Sequence, residues 1–280
     1  MQSTQSATNP PTIFRCKTHN GHIFKVLTEL LQHNNIKTVP LEIKSSGIYL
    51  RTMDDIRTIL IDVELSADRF EFYKFTPKDT LYVGIRVSIL QKMLKSIKKK
   101  DSIELFIIDA QPEQLGIKVF PKDGKGGTNS FIQITNVQNI ATNLPIGYKR
   151  PIIAASTDFQ KMCKNLSQIS ETATISIKGF QIYFNGLVDG VMGKSYYFGE
   201  ADEEGEAENL IEDYNEEFTI EKLVRVSKIA GLSSNLQIYT VTGNPLKISS
   251  DVGTIGKISV YVKSKGDIET DSRTIESEDD

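Results

Sequence analysis

The chain has no tryptophan, two cysteines and three histidines in 280 residues. Cys16 and Cys163 stand far apart in sequence. That leaves neither a disulfide framework nor a zinc-ligand spacing, and fits a reduced, intracellular protein. His19, His22 and His33 gather around one segment without a nucleophile or a metal-ligand pattern beside them, and read as surface or capping residues. No apolar run approaches the roughly 18 residues of a membrane span, so no membrane partner is expected. The N-terminus, MQSTQSATNPPT, lacks the basic start and apolar core of a secretory signal. It offers little surface to bury, and residues 1–11 read as a disordered extension. DGKGGTNS (123–130) has glycines and a lysine but not the spacing of a phosphate-binding loop. The acidic stretch at 200–217 lacks the ligand order of a calcium-binding hand. No cofactor, no metal and no catalytic residue is therefore expected, and the chain does not read as an enzyme.

What is present is charge sorted by location. The formal net charge is −3, yet residues 200–217 carry ten acidic and no basic side chains, and residues 264–280 carry seven acidic against two basic. With those two segments set aside the remainder is +12: a basic body with an acidic loop and an acidic tail. A length of 280 residues suits two domains of average size.

The basic residues recur on helical faces. In residues 87–100, VSILQKMLKSIKKK, a period of 3.6 puts Val87, Ile89, Leu90, Met93, Leu94 and Ile97 on one half of the wheel and Lys92, Lys95 and Lys99 on the other. Three further segments repeat the pattern. Residues 21–31, with Asn20 as N-cap, oppose Lys25 to Ile23, Phe24, Val26, Leu27, Leu30 and Leu31. Residues 157–169, opened by a capping box of Thr157 and Gln160, oppose Lys161 and Lys164 to Phe159, Met162, Cys163, Leu166 and Ile169. Residues 219–232, capped by Thr219, set Lys222, Arg225 and Lys228 against Leu223, Val224, Val226 and Ala230, with Ile229 a misfit at the border.

Between the helices lie alternating strands: 12–17, 39–44, 45–53 turning over Ser45–Gly47, 59–65, 70–75, 81–85, 102–109, 115–120 and 131–137 in the first half. Residues 138–150 (QNIATNLPIGYKR) have neither period and read as a linker. The second half restarts the programme. VPLEIKSSGIYLRTMDD lines up with ATISIKGFQIYFNGLVD, and SIELFIID…LGIKVF with NLQIYTVTGNPLKIS. The unit is strand, helix, strands, twice per half and four times in all, which predicts an α+β fold with the helices on one face of the sheets. Domains are expected at 12–137 and 151–265, with an acidic tail from 266 to 280. If pseudo-symmetry lines the helices up, their lysines form one surface suited to phosphates rather than base edges, hence to double-stranded DNA without sequence preference.

Over about residues 12–265 the chain resembles the proliferating cell nuclear antigen family, the eukaryotic-type sliding clamps. The motifs that carry the likeness are Ser45–Ser46–Gly47 with Ile48 and Leu50, Met53–Asp54, SILQKMLK (88–95), FQKMCKNLSQI (159–169), KIAGLSS (228–234) and NPLKI (244–248). The resemblance implies a DNA-clamp fold of two similar domains closing three-fold into a ring, helices lining the hole. Lys25, Lys92, Lys95, Lys161, Lys164 and Lys228 match inward-facing basic positions of the family, whereas Lys99, Lys222 and Arg225 rest on the helical wheel. It further implies a pocket for a partner peptide bearing a Gln and hydrophobic–aromatic anchors, built from Met53, Arg57, Leu60, Leu144, Ile146, Pro245 and Tyr261. Lys263 joins it at the rim. Arg57 stands where animal and yeast clamps usually have histidine, and Lys263 where they have a small residue; both add positive charge. Subunit pairing is expected at 131–137, through Ile132 and Ile134, and at 195–199, through Tyr196 and Phe198. DNA polymerase and an ATP-dependent clamp loader are the implied partners, at a site of DNA replication in the nucleus or, for a viral member, elsewhere. Three other readings remain open: a subunit of a heterotrimeric checkpoint clamp, a monomeric polymerase processivity subunit, and a DNA-modifying enzyme of two α+β domains.

Overall fold

The computed structural model describes residues 10–138, 142–188, 192–200 and 214–278. Most of the predicted extension, part of the linker and most of the acidic loop lie outside the described residues.

Four successive units each run strand, helix, strands. The first contains β1 (Thr12–Thr18), α1 (His22–His33), β2 (Thr38–Lys44), β3 (Gly47–Met53), β4 (Ile59–Ser66) and the short β5 (Phe72–Phe75). The second contains β6 (Leu81–Arg86), α2 (Val87–Leu94), β7 (Ser102–Ile108), β8 (Gln111–Phe120), β9 (Thr128–Gln133) and β10 (Thr135–Asn136). The third is β11 (Ile152–Ala155), α3 (Ser156–Leu166), β12 (Thr172–Lys178), β13 (Gln181–Val188) and β14 (Met192–Gly199). The fourth is β15 (Asn215–Thr219), α4 (Ile220–Val226), β16 (Asn235–Tyr239), β17 (Leu246–Val252) and β18 (Gly256–Val262). A last helix, α5 (Lys265–Glu278), follows.

Units interlock by exchanging their first strands. β1 pairs with β7 and β6 with β2 in the first half; β11 pairs with β16 and β15 with β12 in the second. The halves are then joined by β4 and β18, which pair antiparallel from Leu65↔Gly256 to Ile59↔Val262. One nine-stranded sheet, β10-β6-β2-β3-β4-β18-β17-β16-β11, therefore crosses the molecule, flanked by a five-stranded sheet, β5-β1-β7-β8-β9, and a four-stranded one, β14-β13-β12-β15. The strands equivalent to β4 and β18 in the two inner units are β9 and β14. Among the described residues each has a strand on one side only.

Helices and sheets share one apolar interior. Phe14, Leu30, Ile61, Phe159, Phe184, Phe218 and Val260 are fully buried in it, at about 25 cal/mol for each Å² of apolar surface removed from water. The helix starts depart from the caps read in the sequence. Asn20 and Thr157 are not the caps, and none of the N-cap residues of α1–α4, Thr219 included, makes a side-chain cap bond. Instead β6, β11 and β15 run directly into α2, α3 and α4, the N-caps Arg86, Ala155 and Thr219 keeping extended backbone angles. α2 also ends sooner than its periodicity predicts. It stops at Leu94, and the Asp101 carboxylate accepts the Lys98 amide at 2.9 Å to close a turn that returns Ile97 to the core. Ile229 is fully buried because α4 tightens after Val226 into a 3-10 turn, Ser227–Gly231, which rotates the chain further per residue.

Candidate functional site

The helices form one layer. α1 packs against α2 on one side and against α4 with its 3-10 extension on the other; α4 in turn packs against α3. Their apolar stripes, such as Ile23, Val26, Leu27 and Leu30 on α1 or Phe159, Met162, Cys163 and Leu166 on α3, are buried. Lys92, Lys95, Lys161 and Lys164 project from the opposite side and are exposed. Lys25 is half-buried, its Nζ donating to the Lys95 carbonyl at 2.9 Å, so one lysine ties α1 to the end of α2. Lys228 is half-buried on the 3-10 turn.

The three residues placed by the helical wheel alone sit differently. Lys99 lies beyond α2, in the turn closed by Asp101, and is exposed. Arg225 is paired with Glu221 one helical turn earlier. Lys222 is half-buried, and burial holds its ammonium pKa below the ordinary lysine value; the charges acting on it include Asp54 and Lys263. It therefore stands apart from the exposed lysines. One residue of this face escaped the sequence reading. His22, at the start of α1, has a lowered pKa from burial and from Lys25 and Lys99, against a weaker raising effect of Glu29.

A second site lies on the nine-stranded sheet. Direct cross-strand pairing aligns Met53 with Leu60, Leu60 with Tyr261, Tyr261 with Lys247 and Lys247 with Tyr239. Residues paired this way project from one face. The linker crosses the same sheet: the Thr142 carbonyl accepts from Arg51 at 2.8 Å, the Ile146 carbonyl from Asn244 at 2.8 Å, and the Tyr148 hydroxyl donates to the Pro245 carbonyl at 2.6 Å. Arg51 is itself fixed by Asp62 at 2.8 Å. The Tyr148 ring packs at 5.9 Å from Tyr261 and 6.2 Å from Tyr239, and burial raises the hydroxyl pKa of all three tyrosines.

Of the residues read as a pocket, Met53, Leu60 and Tyr261 are thus neighbours, and Pro245 is attached to them through Tyr148. Leu60 and Tyr261 are buried, while Met53, Leu144 and Pro245 are half-buried. Ile146 stands 82% exposed. Arg57 is exposed on a turn in the left-handed region, φ 54°, and the Asp54 carboxylate braces that turn by accepting from the Thr58 amide, the Thr58 hydroxyl and the Ile59 amide. Lys263 is not a free rim charge, because it is paired with Asp271 of α5. Lys247, Tyr239 and Tyr148 were missed; the signal was the alternation of NLQIY and LKIS, which puts Tyr239 and Lys247 on the face away from Ile238 and Ile248.

On the two edge strands the side chains divide between the core and the surface. Ile132 and Ile134 are buried in the chain's own core, 1% and 6% exposed. Residues 131–137 are not one strand: the chain leaves the five-stranded sheet after Gln133 and joins β6 of the nine-stranded sheet at Thr135, with Ile134 turned inward between them. Phe131 faces out instead. On β14, Phe198 packs against Phe159 and Phe184, and the Tyr196 hydroxyl accepts from Asn165 at 3.0 Å. Tyr197 is the exposed aromatic there.

Comparison with known proteins agrees with this architecture. The N-terminal domain model of proliferating cell nuclear antigen matches residues 13–134 and the C-terminal domain model residues 145–266. A probable DNA polymerase sliding clamp 1 of Paramecium bursaria Chlorella virus 1 is 23% identical over 254 residues, 89% of this chain and 96% of the relative. A DNA polymerase sliding clamp of Nitrosopumilus maritimus is 28% identical over 78% of this chain and 85% of its own length. Proliferating cell nuclear antigen 2 of Drosophila melanogaster is 24% identical over 80% and 87%. With both domain models covering most of its length and four strand–helix–strand units behind them, the chain belongs to the proliferating cell nuclear antigen family.

Proposed function

We propose that the protein is a DNA sliding clamp, a non-enzymatic processivity factor that encircles duplex DNA as a homotrimer and holds DNA polymerase and other replication enzymes at their template. The observation that carries this is the single layer of four helices with lysines on its outer side. Lysine is a flexible point charge, so such a layer attracts phosphates without fixing register and lets the protein slide. Encirclement replaces tight binding, because a closed ring does not need strong contacts to stay on.

The β4–β18 junction supports self-assembly. β9 and β14 occupy the equivalent places in the inner units and, among the described residues, have no strand partner on their outer sides. Pairing β9 of one copy with β14 of the next would repeat the junction already made inside the chain, a heterologous contact that closes into a ring. The sheet face under the linker is the docking surface for a partner peptide with a Gln and hydrophobic–aromatic anchors, and an ATP-dependent loader opens the ring. The expected place of action is the site of DNA replication.

Mass measurement at micromolar concentration, joined to retention on DNA circles, tests this. A trimer that stays on circular DNA in high salt and leaves when the circle is cut is the expected result. A monomer, an obligate mixture with other chains, or equal loss from circles and linear DNA would overturn it.

A further inference from the structure

Lys247 sits in a box of three tyrosines. Tyr239 and Tyr261 flank it across β16 and β18, and Tyr148 closes over it from the linker. Its Nζ lies 4.8 Å from the Tyr239 ring centroid, 5.3 Å from Tyr148 and 5.7 Å from Tyr261, each within cation–π reach. The box is held from outside: the Tyr148 hydroxyl is bonded to Pro245 and the Tyr239 hydroxyl to Gln237 at 3.1 Å.

Three other cations around this surface are already matched. Arg51 is paired with Asp62, Lys263 with Asp271 and Lys265 with Glu217. Among the described residues Lys247 has aromatic faces but no carboxylate in ion-pair contact. Asp62, the acid whose field reaches it, is engaged by Arg51. A half-buried ammonium that has lost part of its water and gained only ring faces has an unfilled place for an anion. Being clamped by rings, it loses little further freedom when that anion arrives.

We propose that Lys247 is a specificity-determining residue of the docking surface, and that the partner segment it selects carries a carboxylate beside its hydrophobic–aromatic anchors. This rests on the reading of that surface as a peptide-docking site. The apolar part of the segment would lie against Ile146 and Met53, and the acidic side chain against the tyrosine box. Selection arises because a partner with a neutral residue there leaves the ammonium unpaired, whereas an acidic one completes it.

The test uses the full-length protein and two fluorescent synthetic peptides that share a Gln and the hydrophobic–aromatic anchors. One has a Glu adjacent to the anchors, the other a Gln at that position. Anisotropy titrations are expected to show the acidic peptide binding about tenfold tighter, a single favourable ion pair's worth. Lys247→Met, which keeps an unbranched stem within the box, should abolish the difference in affinity between the two peptides. Lys247→Arg should keep the preference, and thermal melts of both variants report whether the fold is intact. Equal binding of the two peptides by the parent protein, or equal weakening of both by Lys247→Met, overturns the proposal while leaving the docking surface standing. A preference that appears only after residues 265–280 are deleted would give Lys247 to the chain's own acidic terminus, and also overturns it. If neither peptide binds the parent protein, the docking reading itself fails and this inference falls with it.

Discussion

Arg57 is held at φ 54°, a conformation that costs a side-chain-bearing residue about 1–2 kcal/mol. It persists because Asp54 is buried and accepts three hydrogen bonds across the turn, from Thr58 N, Thr58 Oγ1 and Ile59 N at 2.6, 2.9 and 2.8 Å. Two opposite results are expected in urea unfolding. Asp54→Ala destabilises by about 3 kcal/mol, since donors buried for one charged acceptor lose it. Arg57→Gly stabilises by up to about 1 kcal/mol, the strain relieved exceeding the entropy of a freer unfolded chain. His22 supplies a pH test. Burial, with Lys25 and Lys99, depresses its pKa against the pull of Glu29. The unfolded state therefore binds the proton more readily. Stability falls as pH drops through the ordinary histidine value toward the lower folded one, and the loss persists below it. Phosphate beside His22 reverses the sense: DNA binding would take up a proton and strengthen as pH falls from 7.5 to 6. Titrations of wild type and His22→Gln at both pH values check this, and equal pH dependence in the two proteins would remove His22 from the DNA-facing surface.

At the scale of elements, the positions of α1 and α3 were legible in the sequence, because a 3.6 period opposing leucines to lysines survives any arrangement of neighbours. The end of α2 was not: Lys95 and Lys99 continue the period, and only the Asp101 carboxylate closing onto Lys98 shows where the helix stops. α5 had a signal that composition hid. Within SKGD, the Asp267 amide donates to Ser264 Oγ at 3.1 Å and the Ser264 amide to Asp267 Oδ2 at 3.0 Å, a reciprocal cap that starts a helix in a run read as an acidic tail. Ser264→Ala should fray this start by about 1 kcal/mol, seen as faster amide exchange over residues 265–271 with no change elsewhere. The edge strands give the matching test of assembly. Phe131→Glu with Tyr197→Glu puts charge on the two exposed edges, and sizing across a concentration series should show the proposed trimer dissociating at higher protein concentration than wild type. No change would separate those edges from the subunit contact.

For the whole molecule, the decisive connection is β4 with β18. Seven residue pairs make one sheet of the two halves, so each half alone would expose a long apolar edge. The full chain should unfold in one calorimetric transition, and residues 10–138 expressed alone should aggregate. Two resolved transitions would show that the junction contributes little cooperativity. The helix layer has its own signature. If Lys164 contacts a phosphate as proposed, Lys164→Ala should reduce the slope of log affinity against log salt by about 0.9 and act equally on all duplex sequences.

By itself the sequence determined the four-unit repeat, the apolar stripes of the helices, and the sorting of acid away from the basic body. These follow from periods and composition, which are local and need no knowledge of neighbours. Only the tertiary structure decided which strands meet. A strand's alternation says which side chains share a face but not which face is core, and that is why Ile132 and Ile134 turned inward and Phe131 outward. The tyrosine box belongs to the same category: Tyr148, Tyr239, Lys247 and Tyr261 come from four separate segments, and only cross-strand register and the path of the linker bring them to one point.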